Sequence, residues 1–179
     1  FKEGTYEIES ERRGYALELA VDFVRMEYTR HRFWEKDDTP VVPLKSQTLE
    51  DVIGTWPQGK INVRIGDYMF RPHQKWTITA VPDGGGYLGG PYYKIVIEGT
   101  NRALAATADA EVVTVPEFTG APEQLWRIDQ LTDGTYRIMP KEVPGTDKEL
   151  VLVSVGDSTP SLGEFDMNSD NSKWNFRDH

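Results

Sequence analysis

Gln124-Leu125-Trp126-Arg127-Ile128, followed by Asp133-Gly134-Thr135-Tyr136-Arg137-Ile138, is the stretch on which the fold turns. Trp126 and Ile128 alternate with polar neighbours, and so do Tyr136 and Ile138, so each run reads as a strand with one apolar face. Asp133-Gly134 between them is a turn signal, because glycine takes the positive φ of a tight connection at no steric cost. The motif recurs along the chain. Trp76-Thr77-Ile78 precedes Tyr93-Lys94-Ile95 across a glycine-rich run. Gly4-Thr5-Tyr6-Glu7-Ile8 opens the chain on the second half of the motif, and Lys173-Trp174-Asn175-Phe176 closes it on the first half.

Three Tyr-to-Trp segments follow: Tyr6 to Trp76, Tyr93 to Trp126 and Tyr136 to Trp174. A repeat of short strands cannot bury its apolar face alone, so the three copies are expected to share one core. The first copy is longer by roughly thirty residues, an insertion that repeat logic assigns to loops. With four strands per copy, the reading is an all-β fold of twelve strands in three pseudo-repeats. Repeat one covers 1–81, repeat two 92–129 and repeat three 133–179, within a single domain, 1–179.

The 179 residues, 38% of them hydrophobic, suffice for one substantial core, and 16 glycines and 11 prolines suit many short strands joined by turns. A net charge of −9 argues against nucleic acid as partner, since a phosphate backbone is bound by a basic surface. The absence of cysteine removes disulfides, thiolate nucleophiles and thiolate metal sites. No apolar run is long enough for a membrane span, and no signal peptide is visible. These features favour the cytoplasm, with secretion left open.

Taken in order, Thr5 to Glu9 and Tyr15 to Val21 read as strands flanking the charged loop Ser10 to Gly14. Arg25 to Phe33 is locally basic and reads as an exposed strand or hairpin of the insertion, and Val41 to Leu44 as a third strand. Ser46 to Ile53 is a short helix candidate. Lys60 to Phe70 reads as an additional strand or hairpin within the insertion, and Asp83 to Gly90 as a flexible loop between repeats. That glycine run lacks the Lys-Ser/Thr pair and the following helix of a phosphate loop.

The chemistry of catalysis is not evident. His31, His73 and His179 show no metal-ligand spacing, and no Gly-x-Ser-x-Gly elbow occurs. Asp166 to Asp170 starts like a calcium loop, but Asn171 stands where glycine is needed and Arg177 where the bidentate glutamate belongs. Neither an enzyme nor a cofactor is expected.

Three copies opening on Gly-x-Tyr-x-Ile and closing on Gln-x-Trp-x-Ile or a variant resemble the β-trefoil. Two trefoil families share these features. The ricin B-type lectins carry Gln-x-Trp, here Gln74-Lys75-Trp76 and Gln124-Leu125-Trp126, changed to Ser172-Lys173-Trp174 in the third copy. The resemblance implies sugar binding through an aspartate just after an early leucine of each repeat; the matching pairs, Leu104-Ala105 and Leu150-Val151, lack it. The fungal mycocypin-type protease inhibitors, clitocypin and macrocypin, share the Glu3-Gly4-Thr5-Tyr6 opening, the terminal Trp-x-Phe and the cysteine-free chain. That resemblance implies occlusion of a papain-like, legumain-like or serine protease by surface loops. The matching loops hold Arg12, Arg13 and Gly14, and Gly99, Asn101 and Arg102. The expected function is therefore protease inhibition, with a protease as partner; the alternative is a ricin B-type lectin with carbohydrate as partner.

Overall fold

The computed structural model describes residues 1–12, 14–21, 48–87, 89–156 and 159–178. The chain forms two compact units, Phe1–Ala20 with Pro57–His179, and Val21–Trp56. Among the described residues the first unit holds twelve strands: β1 (Gly4–Ser10), β2 (Ala16–Leu19), β3 (Ile61–Gly66), β4 (Trp76–Tyr87), β5 (Gly90–Ile97), β6 (Ala103–Ala106), β7 (Val112–Val115), β8 (Trp126–Gln130), β9 (Tyr136–Pro140), β10 (Val151–Val155), β11 (Thr159–Gly163) and β12 (Trp174–Asp178).

Six of them close a barrel. β1 pairs with β4, β4 with β5, β5 with β8, β8 with β9, β9 with β12, and β12 returns to β1, all antiparallel. Closure leaves those strands no open edge. The other six form three antiparallel hairpins, β2–β3, β6–β7 and β10–β11, one per copy. This is a β-trefoil.

The threefold order comes from the repeated residues. Tyr6 pairs with Trp76, Tyr93 with Trp126 and Tyr136 with Trp174, the same cross-strand register three times. All three tryptophans are fully buried. Each indole N–H donates to a backbone carbonyl of its own copy: Trp76 to Leu17 at 2.8 Å, Trp126 to Leu104 at 2.9 Å and Trp174 to Leu152 at 2.9 Å. A buried indole thus joins large apolar area to a satisfied donor, locking each hairpin to the barrel. At one end the repeat tyrosines converge on Phe1, whose ring lies 5.2 Å from Tyr6, 5.5 Å from Tyr93 and 5.8 Å from Tyr136.

A single 3-10 turn precedes the closing strand of each copy, at Pro72–Gln74, Pro122–Gln124 and Asp170–Ser172. The glutamine of each Gln-x-Trp holds the loop before it: Gln74 Oε1 accepts from the Met69 amide and Gln124 Oε1 from the Thr119 amide, both at 2.8 Å. In the third copy Ser172 is too short for that reach. Its hydroxyl instead donates to the Asp166 carbonyl at 3.0 Å.

Two expectations are corrected. β3 is no part of the insertion; it pairs with β2 and β7 as the third strand of repeat one, and the additional length lies between β2 and β3. Asp83 to Gly90 is no loose loop either. The described part of that run belongs to two paired strands, Asp83 to Tyr87 to β4 and Gly90 to β5, with a register shift between Val81 and Gly86. Only glycine fits at Gly86, where an added Cβ would lie 2.6 Å from the Gly90 carbonyl oxygen. The Asp133-Gly134 turn is as expected, with Gly134 at φ +90. Its Asp133 carboxylate accepts from the Thr135 hydroxyl at 2.6 Å, the Thr135 amide at 2.9 Å and Lys173 Nζ at 3.0 Å. These bonds pull its pKa down to about 2.

In the second unit, the helix expected around Ser46 to Ile53 is α1 (Leu49–Ile53). Thr48 and Asp51 form its capping box, each side chain accepting from the other's amide at 3.2 Å. The strands expected at Arg25 to Phe33 and at Val41 to Leu44 lie outside the described residues.

Candidate functional site

The two loops singled out in the sequence have different characters. Arg12 is exposed and donates to the Gly156 carbonyl at 2.9 Å. Gly14 takes φ +72 and closes the turn through its amide to the Ser10 carbonyl at 2.8 Å. Arg13 lies outside the described residues. Gly99 is the positive-φ residue of the second loop, at +78, and Asn101, two residues on, is exposed.

Arg102 differs from the expectation. Instead of standing out as an exposed anchor it is 7% exposed, with Nη1 donating to the Gly59 carbonyl at 2.8 Å and Nη2 to the Pro57 carbonyl at 2.9 Å. Burial lowers its pKa from the ordinary arginine value. The guanidinium fork serves two carbonyls where the chain re-enters the first unit, so it has no free face for a partner.

The indole bonds define which residues correspond across the repeats. Leu17, Leu104 and Leu152 are equivalent, so the residue after the early leucine is Glu18, Ala105 or Val153. The third-copy pair is thus Leu152-Val153 and not Leu150-Val151, and the first copy carries a carboxylate. Glu18 is 5% exposed. Its Oε1 accepts from Gln74 Nε2 at 2.9 Å; its Oε2 accepts from Arg64 Nε at 2.8 Å and lies 3.4 Å from His73 Nε2. Gly66 lets this carboxylate approach, since an added Cβ there would sit 2.7 Å from Oε1.

Burial by itself raises the Glu18 pKa, but the hydrogen bonds from His73, Arg64 and Gln74 outweigh it and leave the carboxyl below its ordinary value. A depressed folded-state pKa contributes stability that is present above the unfolded value, ~4.3, and is lost as pH falls through the folded one. Melting temperature measured against pH is expected to fall on acidification below that range in the native protein. Glu18→Gln should start lower at neutral pH and fall less steeply there. Parallel curves for the two proteins would contradict this role.

A different region carries a concavity. A groove of about 280 Å³ is bounded by Tyr92 of β5, Arg127 of β8 and the loop after β9, with Lys141, Glu142, Asp147 and Glu149 on its wall. The loop is held from below by buried Val143 and Leu150 and by a bridge between Val143 and Thr146. Lys141 Nζ donates to the Gly84 carbonyl of the β4–β5 hairpin at 2.7 Å and lies 5.2 Å from the centre of the Tyr92 ring. Arg127 Nε is paired with Asp129 at 2.7 Å. The groove thus brings together a half-buried ring, charged side chains and residues of three strands. No sequence motif marked it, because its wall is assembled from separate elements.

A profile of the family described as ricin-type β-trefoil lectin domain-like matches residues 72–161. The chain belongs to that family. The matched stretch of this ricin-type trefoil contains the whole wall of the groove. No curated protein matches the chain in sequence. Among solved structures, the Polyporus squamosus lectin bound to the epitope Neu5Aca2-6Galb1-4GlcNAc is similar at 16% identity and TM-score 0.63, over 99% of this chain and 50% of that one. ThreeFoil, a designed threefold-symmetric protein, is similar at 19% identity and TM-score 0.61, over 98% of this chain and 99% of that one. A mosquitocidal holotoxin is similar at 14% identity and TM-score 0.66, over 100% of this chain but only 18% of its own length. At these identities the likeness is one of fold. Among the described residues of this ricin-type trefoil no group of three His, Asp or Glu could hold a metal, and no helix is long and apolar enough to cross a membrane.

Proposed function

We propose that this ricin-type trefoil is a non-catalytic carbohydrate-binding module and that the groove between Tyr92 and the loop after β9 is its ligand site. The observation that carries the reading is the family match over 72–161 together with the position of the groove wholly inside it. Sugars are bound by an aromatic face beneath the ring and by carboxylates or amides that meet the hydroxyls, and the groove offers both kinds of group. The early-leucine positions offer less. Ala105 and Val153 have no acceptor side chain, and Glu18 is already engaged by Arg64, Gln74 and His73. A glycan array followed by titration of the strongest hit tests the reading. Tyr92→Ala is expected to weaken that hit by roughly tenfold or more, as loss of a stacking surface does. An array without hits, or a hit indifferent to Tyr92→Ala, overturns it.

One observation favours protease occlusion as a second reading. Asn101 is exposed on a turn held by Thr100, whose hydroxyl donates to the Ile97 carbonyl at 2.9 Å and accepts from the Arg102 amide at 3.0 Å. The Asn101 carbonyl in turn accepts from the Phe118 amide at 2.9 Å. A loop so pinned loses little entropy on docking and could present asparagine to a legumain-type protease. Titration of that protease is then expected to show stoichiometric inhibition that Asn101→Ala removes. Full protease activity at saturating protein would end this reading.

A further inference from the structure

Phe70, on the loop between β3 and the first Gln-x-Trp, sits in the left-handed region at φ +58 and is 70% exposed. A bulky side chain at that φ strains the backbone. The second copy makes the same turn without strain. Gln74 Oε1 accepts from the Met69 amide and Gln124 Oε1 from the Thr119 amide, both at 2.8 Å, so the next residues, Phe70 and Gly120, are equivalent. Gly120 takes φ +84, which costs glycine nothing. The first copy therefore keeps an exposed phenylalanine where its sister has the relaxed residue. Strain of this kind gathers at places that contact a ligand or partner.

The way the loop is held is an independent observation. Gln74 is fully buried and binds the loop three times. Its Oε1 accepts from the amides of Met69 at 2.8 Å and Arg71 at 3.3 Å, and its Nε2 donates to the Asp67 carbonyl at 2.7 Å. The half-buried Tyr68 ring, its centre 4.8 Å from that of Phe70, supports it from the side. A ring fixed in this way loses little entropy on contact. Met69, 53% exposed, extends the apolar surface. Two side chains fall far short of the roughly 800 Å² that each partner gives to a stable protein interface. They match the face of a single sugar ring.

We propose that Phe70, flanked by Tyr68 and Met69, is a stacking platform for a β-linked pyranose chain, an inference that rests on the reading of this ricin-type trefoil as a carbohydrate-binding module. None of the three residues lines the groove, so the platform is a second contact, built on the first copy. It takes sugars that offer a flat face of C–H bonds to the ring, as β-glucosyl and β-galactosyl residues do.

Calorimetric titration with cellohexaose and with a β-1,4-galactan oligomer tests the platform, alongside sedimentation of the free protein and flotation with phosphatidylcholine vesicles. At least one oligomer is expected to bind, with Phe70→Gly weakening it roughly tenfold and Phe70→Trp retaining it. Phe70→Gly should leave the melting temperature unchanged or raise it, because glycine adopts φ +58 without strain. A lower melting temperature for Phe70→Gly would make the ring a contact of the fold and overturn the platform. Affinity that falls in Tyr92→Ala but not in Phe70→Gly overturns it while the groove reading stands. So does a glycan-array hit when neither oligomer binds. Self-association or vesicle binding that Phe70→Gly abolishes, with no oligomer bound, overturns it in favour of a protein or membrane contact. If no sugar binds in any format, the carbohydrate reading falls and the platform falls with it.

Discussion

Trp126→Ala is expected to lower the unfolding free energy by roughly 3–5 kcal/mol, the range for removing a buried aromatic and leaving a cavity. Trp126 is fully buried, and its indole N–H supplies the hydrogen bond to Leu104 that ties hairpin β6–β7 to the barrel. Trp126→Phe separates the two contributions. It keeps most of the apolar area but leaves the Leu104 carbonyl without its donor, at about 1–3 kcal/mol. Because Trp76 and Trp174 make the same bond to Leu17 and Leu152, their alanine variants should lose comparable stability. Urea unfolding reads all of this directly. A tryptophan that could be truncated at little cost would break the threefold account of the core.

Arg102→Ala carries the second large effect. Truncation removes two hydrogen bonds from a charged donor, to the carbonyls of Pro57 and Gly59, and a loss on the order of 3 kcal/mol is expected. Arg102→Lys should recover little, since one ammonium cannot span two carbonyls met by separate guanidinium nitrogens. The same variants discriminate between roles. An exposed anchor would lose partner binding with unchanged stability, whereas the buried clamp loses stability first. An unchanged melting temperature for Arg102→Ala would contradict the clamp.

The parts of the fold that the sequence made legible are those where one residue type does one physical job three times. Tryptophan, tyrosine and the alternation around them identify the barrel strands, because burying a large ring on one face of a strand leaves a period-two trace. β3 was harder to place. Ile61, Val63 and Ile65 alternate as they should, but the length before them hid their equivalence to β7 and β11. The run from Asp83 to Gly90 misleads for a related reason: glycine signals freedom in sequence, yet Gly86 is required by close approach of Gly90 in a hairpin. Arg102 shows the limit for side chains. Nothing in Asn101-Arg102 says that the guanidinium turns inward, since its acceptors lie more than forty residues away in sequence. The groove was invisible for the same reason, being built from Tyr92, Arg127 and a loop that only the closed barrel brings together.

The carbohydrate-binding role of the groove is tested most directly by mapping the strongest glycan of an array onto the backbone amides by NMR titration. Shifts concentrated at Tyr92, Arg127 and Lys141 to Glu149, and abolished by Tyr92→Ala, are the predicted result. Shifts confined to the Gly99 to Arg102 turn, or to the surroundings of Glu18, would place the ligand elsewhere and contradict it.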